Sequence, residues 1–159
     1  MIKNFLVKIY QQVFLIITIF LFLTTFIIWI NPVMAENITN NILKQQTKEI
    51  SVTLGNTEEE LKFVPHQIEL ENGKRYNLIL TNPSSQKHYF TAKDFTDAIW
   101  TQKVQVGAVE IKGNIRELEL KPGGKAQWVF VALKSGKYGL RCIIPGHTEA
   151  GMTGEIVIK

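Results

Sequence analysis

Cys142-Ile143-Ile144-Pro145-Gly146-His147-Thr148-Glu149-Ala150-Gly151-Met152 places a thiol, an imidazole and a thioether in one short loop near the C-terminus. Cys142 is the only cysteine, and the other two methionines, Met1 and Met34, lie in an N-terminal stretch with a different reading. A core draws Met and Cys from scattered positions. Their gathering in one loop therefore points to ligation rather than packing, and Pro145-Gly146 supplies the turn that lets Cys142 and His147 reach one ion. The flanks decide the fold. Tyr138-Leu140 before the loop and Ile156-Ile158 after it alternate apolar and polar residues, so Cys142 ends one strand and Met152 precedes the last.

The same alternation runs outward to Ile50. Ile50-Val52-Leu54, Leu61-Phe63, Ile68-Leu70 and Tyr76-Leu78-Leu80 supply early strands, and Ile115-Leu118-Leu120 and Trp128-Phe130 later ones. Asn56-Thr57, Glu71-Asn72-Gly73, Asn82-Pro83-Ser84-Ser85, Lys121-Pro122-Gly123-Gly124 and Lys134-Ser135-Gly136 punctuate them. Such spacing predicts an all-β fold, two antiparallel sheets in a Greek-key sandwich with loops clustered at one end. The stretch from Lys93 to Trp100 does not alternate. Phe95, Ile99 and Trp100 stand at helix-like spacing, which predicts a short helix or an irregular excursion. Glu58-Glu59-Glu60 reads as a solvated face, and Trp100 and Trp128 as core or rim aromatics.

The N-terminus reads separately. Lys3 and Lys8 precede an uncharged apolar run from Val13 to Ile30, and Val33-Met34-Ala35 follows. Basic, apolar and small-residue regions in that order predict an export signal over residues 1–35 cleaved after Ala35. The alternative is an uncleaved hydrophobic anchor, the only circumstance in which the chain would touch a membrane. Residues 36–48 are polar and Asn/Gln-rich, a flexible lead-in. Residues 49–159 then form one domain. Without Lys3 and Lys8, the 18 basic residues come close to the 14 acidic ones, so the basic balance is no nucleic-acid footprint. A lone cysteine in an exported chain cannot form an internal disulfide. A bound metal would occupy it.

Thiolate, thioether and imidazole select copper over the oxygen-seeking cations. Two histidines and a thiolate in a plane, with a weak axial thioether, make the blue-copper arrangement, so a second histidine is required. His88 is favoured, since it follows the Asn82–Ser85 turn and opens His88-Tyr89-Phe90. His66 competes, but Phe63-Val64-Pro65-His66 reads as a Pro-interrupted edge segment facing solvent.

On these residues the chain resembles a cupredoxin, a small blue copper protein of the plastocyanin and azurin kind. Asn82 and His88, the spacing Cys142-x4-His147-x4-Met152 and the closing Gly154-Glu155-Ile156-Val157-Ile158 carry the resemblance. It implies one type 1 copper ion with His88, Cys142 and His147 equatorial and Met152 axial. It also implies single-electron transfer through the edge of His147, beside Ile144, Pro145, Ala150 and Gly151, rather than catalysis. Transient redox partners follow: a c-type cytochrome, an oxidase or a photosynthetic complex, met by a monomer in the periplasm or a thylakoid lumen. Two departures stand out. Many members place a small polar residue after the first histidine, where this chain has Tyr89, and residues 93–114 match neither plastocyanin nor azurin.

A copper carrier or assembly factor serving an oxidase is the alternative, although the chain beyond residue 35 lacks Met-rich or His-rich tracts. A copper enzyme needs a second centre. Only His66 remains once His88 and His147 are assigned.

Overall fold

Among the described residues, alternating side chains along eleven strands bury one face of each of two sheets. The structure, a computed structural model, describes residues 10–23 and 42–159. Residues 10–23 are helical, and among the described residues no helix is long and apolar enough to cross a membrane. The expected cleavage point at Val33–Ala35 lies outside the described residues. The chain divides into two units, Met1–Leu43 and Lys44–Lys159.

In the second unit the strands are β1 (Lys48–Leu54), β2 (Phe63–Val64), β3 (Gln67–Leu70), β4 (Arg75–Thr81), β5 (His88–Thr91), β6 (Ile99–Val106), β7 (Val109–Ile111), β8 (Glu117–Leu120), β9 (Lys125–Ala132), β10 (Gly136–Arg141) and β11 (Thr153–Ile158). Six form one sheet in the order β2-β1-β4-β9-β6-β7, and five form the other in the order β3-β11-β10-β5-β8. Their facing sides supply one core. Val52, Leu54, Leu78, Leu80, Trp128 and Phe130 come from the first sheet, and Leu70, Phe90, Leu120, Leu140, Ile156 and Ile158 from the second.

The sandwich is all-β as the alternation predicts, but its sheets are mixed rather than wholly antiparallel. β1 runs parallel to β4, with Ile50 opposite Leu78 and Val52 opposite Leu80, and β11 runs parallel to β3. The cause is a crossover. After β2 the chain passes to the second sheet as β3 and returns as β4, so β4 enters beside β1 in the same direction. At the other crossing, Glu155 donates its N–H to the His66 carbonyl at 2.8 Å. Gly154 lies so close to that carbonyl that a Cβ there would stand 2.4 Å from the oxygen.

The stretch from Lys93 onward combines a helical turn with two strands. Lys93–Thr96 is a single turn that drives Phe95 into the core, edge-on to Phe130 with centroids 5.4 Å apart and to Trp128 at 6.2 Å. Ile99 then starts β6, a full strand paired to β9. Its alternation is hidden by a bulge between Thr101 and Lys103, so the inward residues are Ile99, Thr101 and Val104, spaced by two and then by three. An extra residue in one strand shifts the faces of everything after it. Trp128 is core and donates its indole N–H to Thr101 Oγ1 at 3.1 Å, whereas Trp100 on the outer face is 45% exposed.

Candidate metal centre

β10 and β11 form an antiparallel hairpin, with Arg141 opposite Thr153. The loop from Cys142 to Met152 therefore begins and ends at one neck. The ladder continues one step into it, since Cys142 donates its N–H to the Met152 carbonyl at 3.1 Å. Inside the loop, His147 donates to the Ile144 carbonyl at 3.0 Å, closing a four-residue turn with Pro145 and Gly146 at its centre. Gly146 has φ 85°, the left-handed conformation that a type II turn requires after proline. Met152 donates to the His147 carbonyl at 2.9 Å, and the Thr148 hydroxyl donates to the Cys142 carbonyl at 2.6 Å. These bonds sort the loop by chemistry. Cys142, His147 and Met152 are buried, while Ile143, Pro145, Gly146, Glu149, Ala150 and Gly151 face outward.

His88 arrives from the other side. It opens β5 opposite Leu120, and the turn before it is fixed by Asn82. The Asn82 amide donates to the carbonyls of Gln86 at 2.7 Å and Leu120 at 2.8 Å, and its oxygen accepts from the Ser84 N–H at 3.0 Å. β5 lies beside β10 with Thr91 opposite Arg141, which carries His88 to the metal-loop end of the sheet.

The arrangement brings His88, Cys142 and His147 together, with one potential ligand atom from each lying within 4.8 Å of the others. Cys142 Sγ stands 3.6 Å from His147 Nδ1, and the His88 and His147 rings lie 5.2 Å apart, tilted by 55°. His66 is not among them. It is exposed in the turn between β2 and β3, as its edge-segment sequence predicts.

Electrostatics favour a ligand state. Both ring nitrogens of His88 are buried without a hydrogen-bond partner among the described residues. A buried polar group left unpaired costs about 1–3 kcal/mol, so a His88 nitrogen within 4.8 Å of a thiol sulfur and a second imidazole nitrogen suits a metal ligand. Burial lowers the His88 pKa first and the neighbouring His147 lowers it further, against a smaller opposing influence of Glu59. The ring is thus biased towards the neutral form that binds metals.

Tyr89 does not replace the expected small polar residue through its side chain. Its backbone N–H points at Cys142 Sγ across 3.4 Å, while its hydroxyl turns away to Glu119. His147 is more enclosed than a doorway residue in an open loop would suggest, at 9% exposed, with Ile143 at 39% beside it.

Three contributors to the site carry no signal in the sequence. Gly55, with φ 72°, lies against His88, where a Cβ would come within 2.8 Å of Nε2. Ser84 is buried on the same side, and a Gly55 Cβ would stand 3.0 Å from its own Cβ. Glu59, expected to be simply solvated, accepts from the Ser84 hydroxyl at 2.8 Å and the Ser85 N–H at 2.9 Å. Asn56-Thr57 reads as a turn, but nothing local says which ring the neighbouring Gly55 faces.

Known proteins share this architecture. Residues 33–159 match the family model for copper-binding proteins of the plastocyanin/azurin family. The copper-resistant cuproprotein CopI of Rubrivivax gelatinosus is 26% identical over 108 residues, 62% of this chain and 61% of that protein. The chain thus spans about three fifths of the length of that curated relative. Among solved structures, a dithionite-reduced auracyanin from Roseiflexus castenholzii superposes with a TM-score of 0.52 at 18% identity, over 72% of this chain and 99% of that one. Copper nitrite reductase from Nitrosomonas europaea gives 0.55 at 10% identity, over 76% of this chain and 52% of that one. At such identities the structures speak for the fold alone. The family match spans the whole sandwich, and at its loop end Cys142 and His147 meet His88 from β5 in a group that could hold one metal ion: this chain belongs to the plastocyanin/azurin family of copper-binding proteins.

Proposed function

We propose that the protein carries single electrons between redox proteins outside the cytoplasm, using one copper ion held by His88, Cys142 and His147 with Met152 as the weak axial ligand. The observation that carries this reading is the buried cluster of those three ligand residues within 4.8 Å, at the mouth of a rigid sandwich. Copper bound there would take one electron from a reduced partner and give it to an oxidised one. The chain's task is to keep the donors in place throughout. Nε2 of His88 faces Gly55, which leaves Nδ1 as the nitrogen open to the ion. Hydrogen bonds within the 142–152 loop hold His147 and Met152 to the strand ends. Small rearrangement between oxidation states is what makes transfer fast.

His147 presents a narrow edge among Ile143, Ile144, Pro145, Ala150 and Gly151, an apolar rim suited to brief docking. A c-type cytochrome, an oxidase or a photosynthetic complex fits as partner to a monomer. The basic, apolar and small-residue pattern over 1–35 supports export to a periplasm or thylakoid lumen. No residue is assigned a catalytic role, since His66 alone cannot build a second copper centre.

A second reading is favoured by the similarity to CopI, whose name ties it to copper resistance: the chain would bind and hand on copper rather than electrons. One preparation separates the two. The purified protein receives one equivalent of copper(II), and its visible spectrum is followed before and after ascorbate. An intense thiolate-to-copper band that bleaches and returns on reoxidation supports the electron carrier. A weak or absent band, with copper passing readily to a weak chelator, supports the copper carrier instead.

A further inference from the structure

We propose that Glu59 is a positioning residue for His88: its carboxylate latches the 55–62 loop onto the 82–86 turn and so holds Gly55 against the buried imidazole. The inference rests on the copper site proposed above and concerns how one of its ligands is held.

The first sign is backbone strain. Among the described residues Glu59 is the one non-glycine residue at positive φ, at 61°. Such a conformation costs about 1–3 kcal/mol and persists only where its surroundings over-determine it. Glu59 is exposed, and hydrogen bonds within its own loop hold the turn. Glu59 donates its N–H to the Asn56 carbonyl at 3.2 Å, and the Asn56 side-chain oxygen accepts from the N–H groups of Glu58 at 3.1 Å and Glu60 at 2.9 Å. Gly55 donates to the Lys62 carbonyl at 2.8 Å, closing the base of the loop.

What the turn achieves is delivery of the carboxylate. Glu59 Oε2 accepts from the Ser84 hydroxyl and Oε1 from the Ser85 N–H, and Ser84 Oγ accepts in turn from the Gln86 N–H at 3.0 Å. The Ser85 N–H first, and the Ser84 hydroxyl next, hold the Glu59 carboxyl below the usual carboxylate range. The latch thus joins the loop that carries Gly55 to the turn that leads into His88. Gly55 lies against Nε2 and Cδ2, and Ser84 packs on Gly55. Hydrogen-bonded neighbours that fix a metal-binding histidine affect affinity as well as shape.

The test uses the full chain with Glu59→Ala and Glu59→Gln. Glutamine keeps an acceptor oxygen but not the charge. Glu59→Ala should release copper to a chelator at least tenfold faster and broaden or shift the copper(II) electron paramagnetic resonance pattern. Glu59→Gln should restore the pattern and most of the retention. In the metal-free protein, His88 ring resonances should broaden in Glu59→Ala and stay sharp in Glu59→Gln, a readout independent of copper. Ser84→Ala, which removes the hydroxyl bond and leaves the Ser85 N–H bond, should change both readouts in the same direction by a smaller amount and serves in its place if Glu59→Ala does not fold. Unchanged His88 resonances and copper release in either latch variant would overturn the proposal. Failure of the unaltered protein to give a thiolate-to-copper band would instead count against the copper site itself.

Discussion

The backbone N–H of Tyr89 faces the sulfur of Cys142 across 3.4 Å, so the residue that follows one candidate ligand donates to another. The contact joins β5 to the end of β10 where the two strands share one Cα pair, Thr91 with Arg141. Because a main-chain group makes it, the side chain is free to differ, and here it reaches outward to Glu119 and lies beneath the Lys87 ammonium. Tyr89→Phe should therefore leave the position and intensity of the thiolate-to-copper band unchanged. It should cost no more than about 1 kcal/mol of stability, the worth of one partly exposed hydrogen bond. Absorption spectroscopy and urea denaturation check both parts.

Cys142→Ser and His66→Ala should part company. The first keeps the shape of a buried side chain but removes the thiolate, so the intense band should vanish while far-ultraviolet circular dichroism keeps its β signature. The second removes an exposed imidazole whose residue takes part in the sheet through its carbonyl, which alanine retains. Its spectrum should match the unaltered protein. Loss of colour in His66→Ala would reassign the second histidine ligand.

The meeting of Cys142 with His147 was legible because a short loop fixes their spacing locally, and a proline-glycine turn announces its own geometry. His88 was legible one step less directly, from the turn preceding it. Gly55 and Glu59 were not legible, since their meaning arises from a contact between the β1–β2 loop and a turn more than twenty positions away. The short helix expected between Lys93 and Trp100 is present at Lys93–Thr96, but Ile99 and Trp100 already belong to β6, whose period of two is broken further on by the bulge between Thr101 and Lys103. Parallel pairing of β1 with β4 depends on which sheet the chain enters after β2. No local pattern encodes that choice.

Met152→Leu tests the axial assignment. Met152 is fully buried, and leucine conserves most of its volume, so the fold should lose less than about 1.5 kcal/mol. An axial thioether tunes the ion rather than holding it. Copper should stay bound with the thiolate band present, and the midpoint potential should move, as protein-film voltammetry would show. Loss of copper from a folded Met152→Leu protein would mean that the thioether is a principal ligand and the site is not of the blue-copper type.

Gly55→Ala applies pressure to His88 from its Nε2 side. The new methyl group would stand 2.8 Å from Nε2 and 3.2 Å from Cδ2, closer than such contacts are tolerated, and Ser84 at 3.0 Å blocks its escape. At φ 72° alanine adds a backbone penalty of about 1–2 kcal/mol. The two costs fall on different observables. Backbone strain lowers the stability of the metal-free protein, whereas displacement of the ring alters the copper(II) spectrum and speeds copper loss. Glycine-to-alanine at Gly123, also left-handed at φ 71° but with nothing within 4 Å of a Cβ, supplies the control for the first cost alone. Both variants should show a lowered melting temperature without metal, and only Gly55→Ala should disturb the bound copper. Equal spectra for the two would show that the imidazole does not depend on this wall.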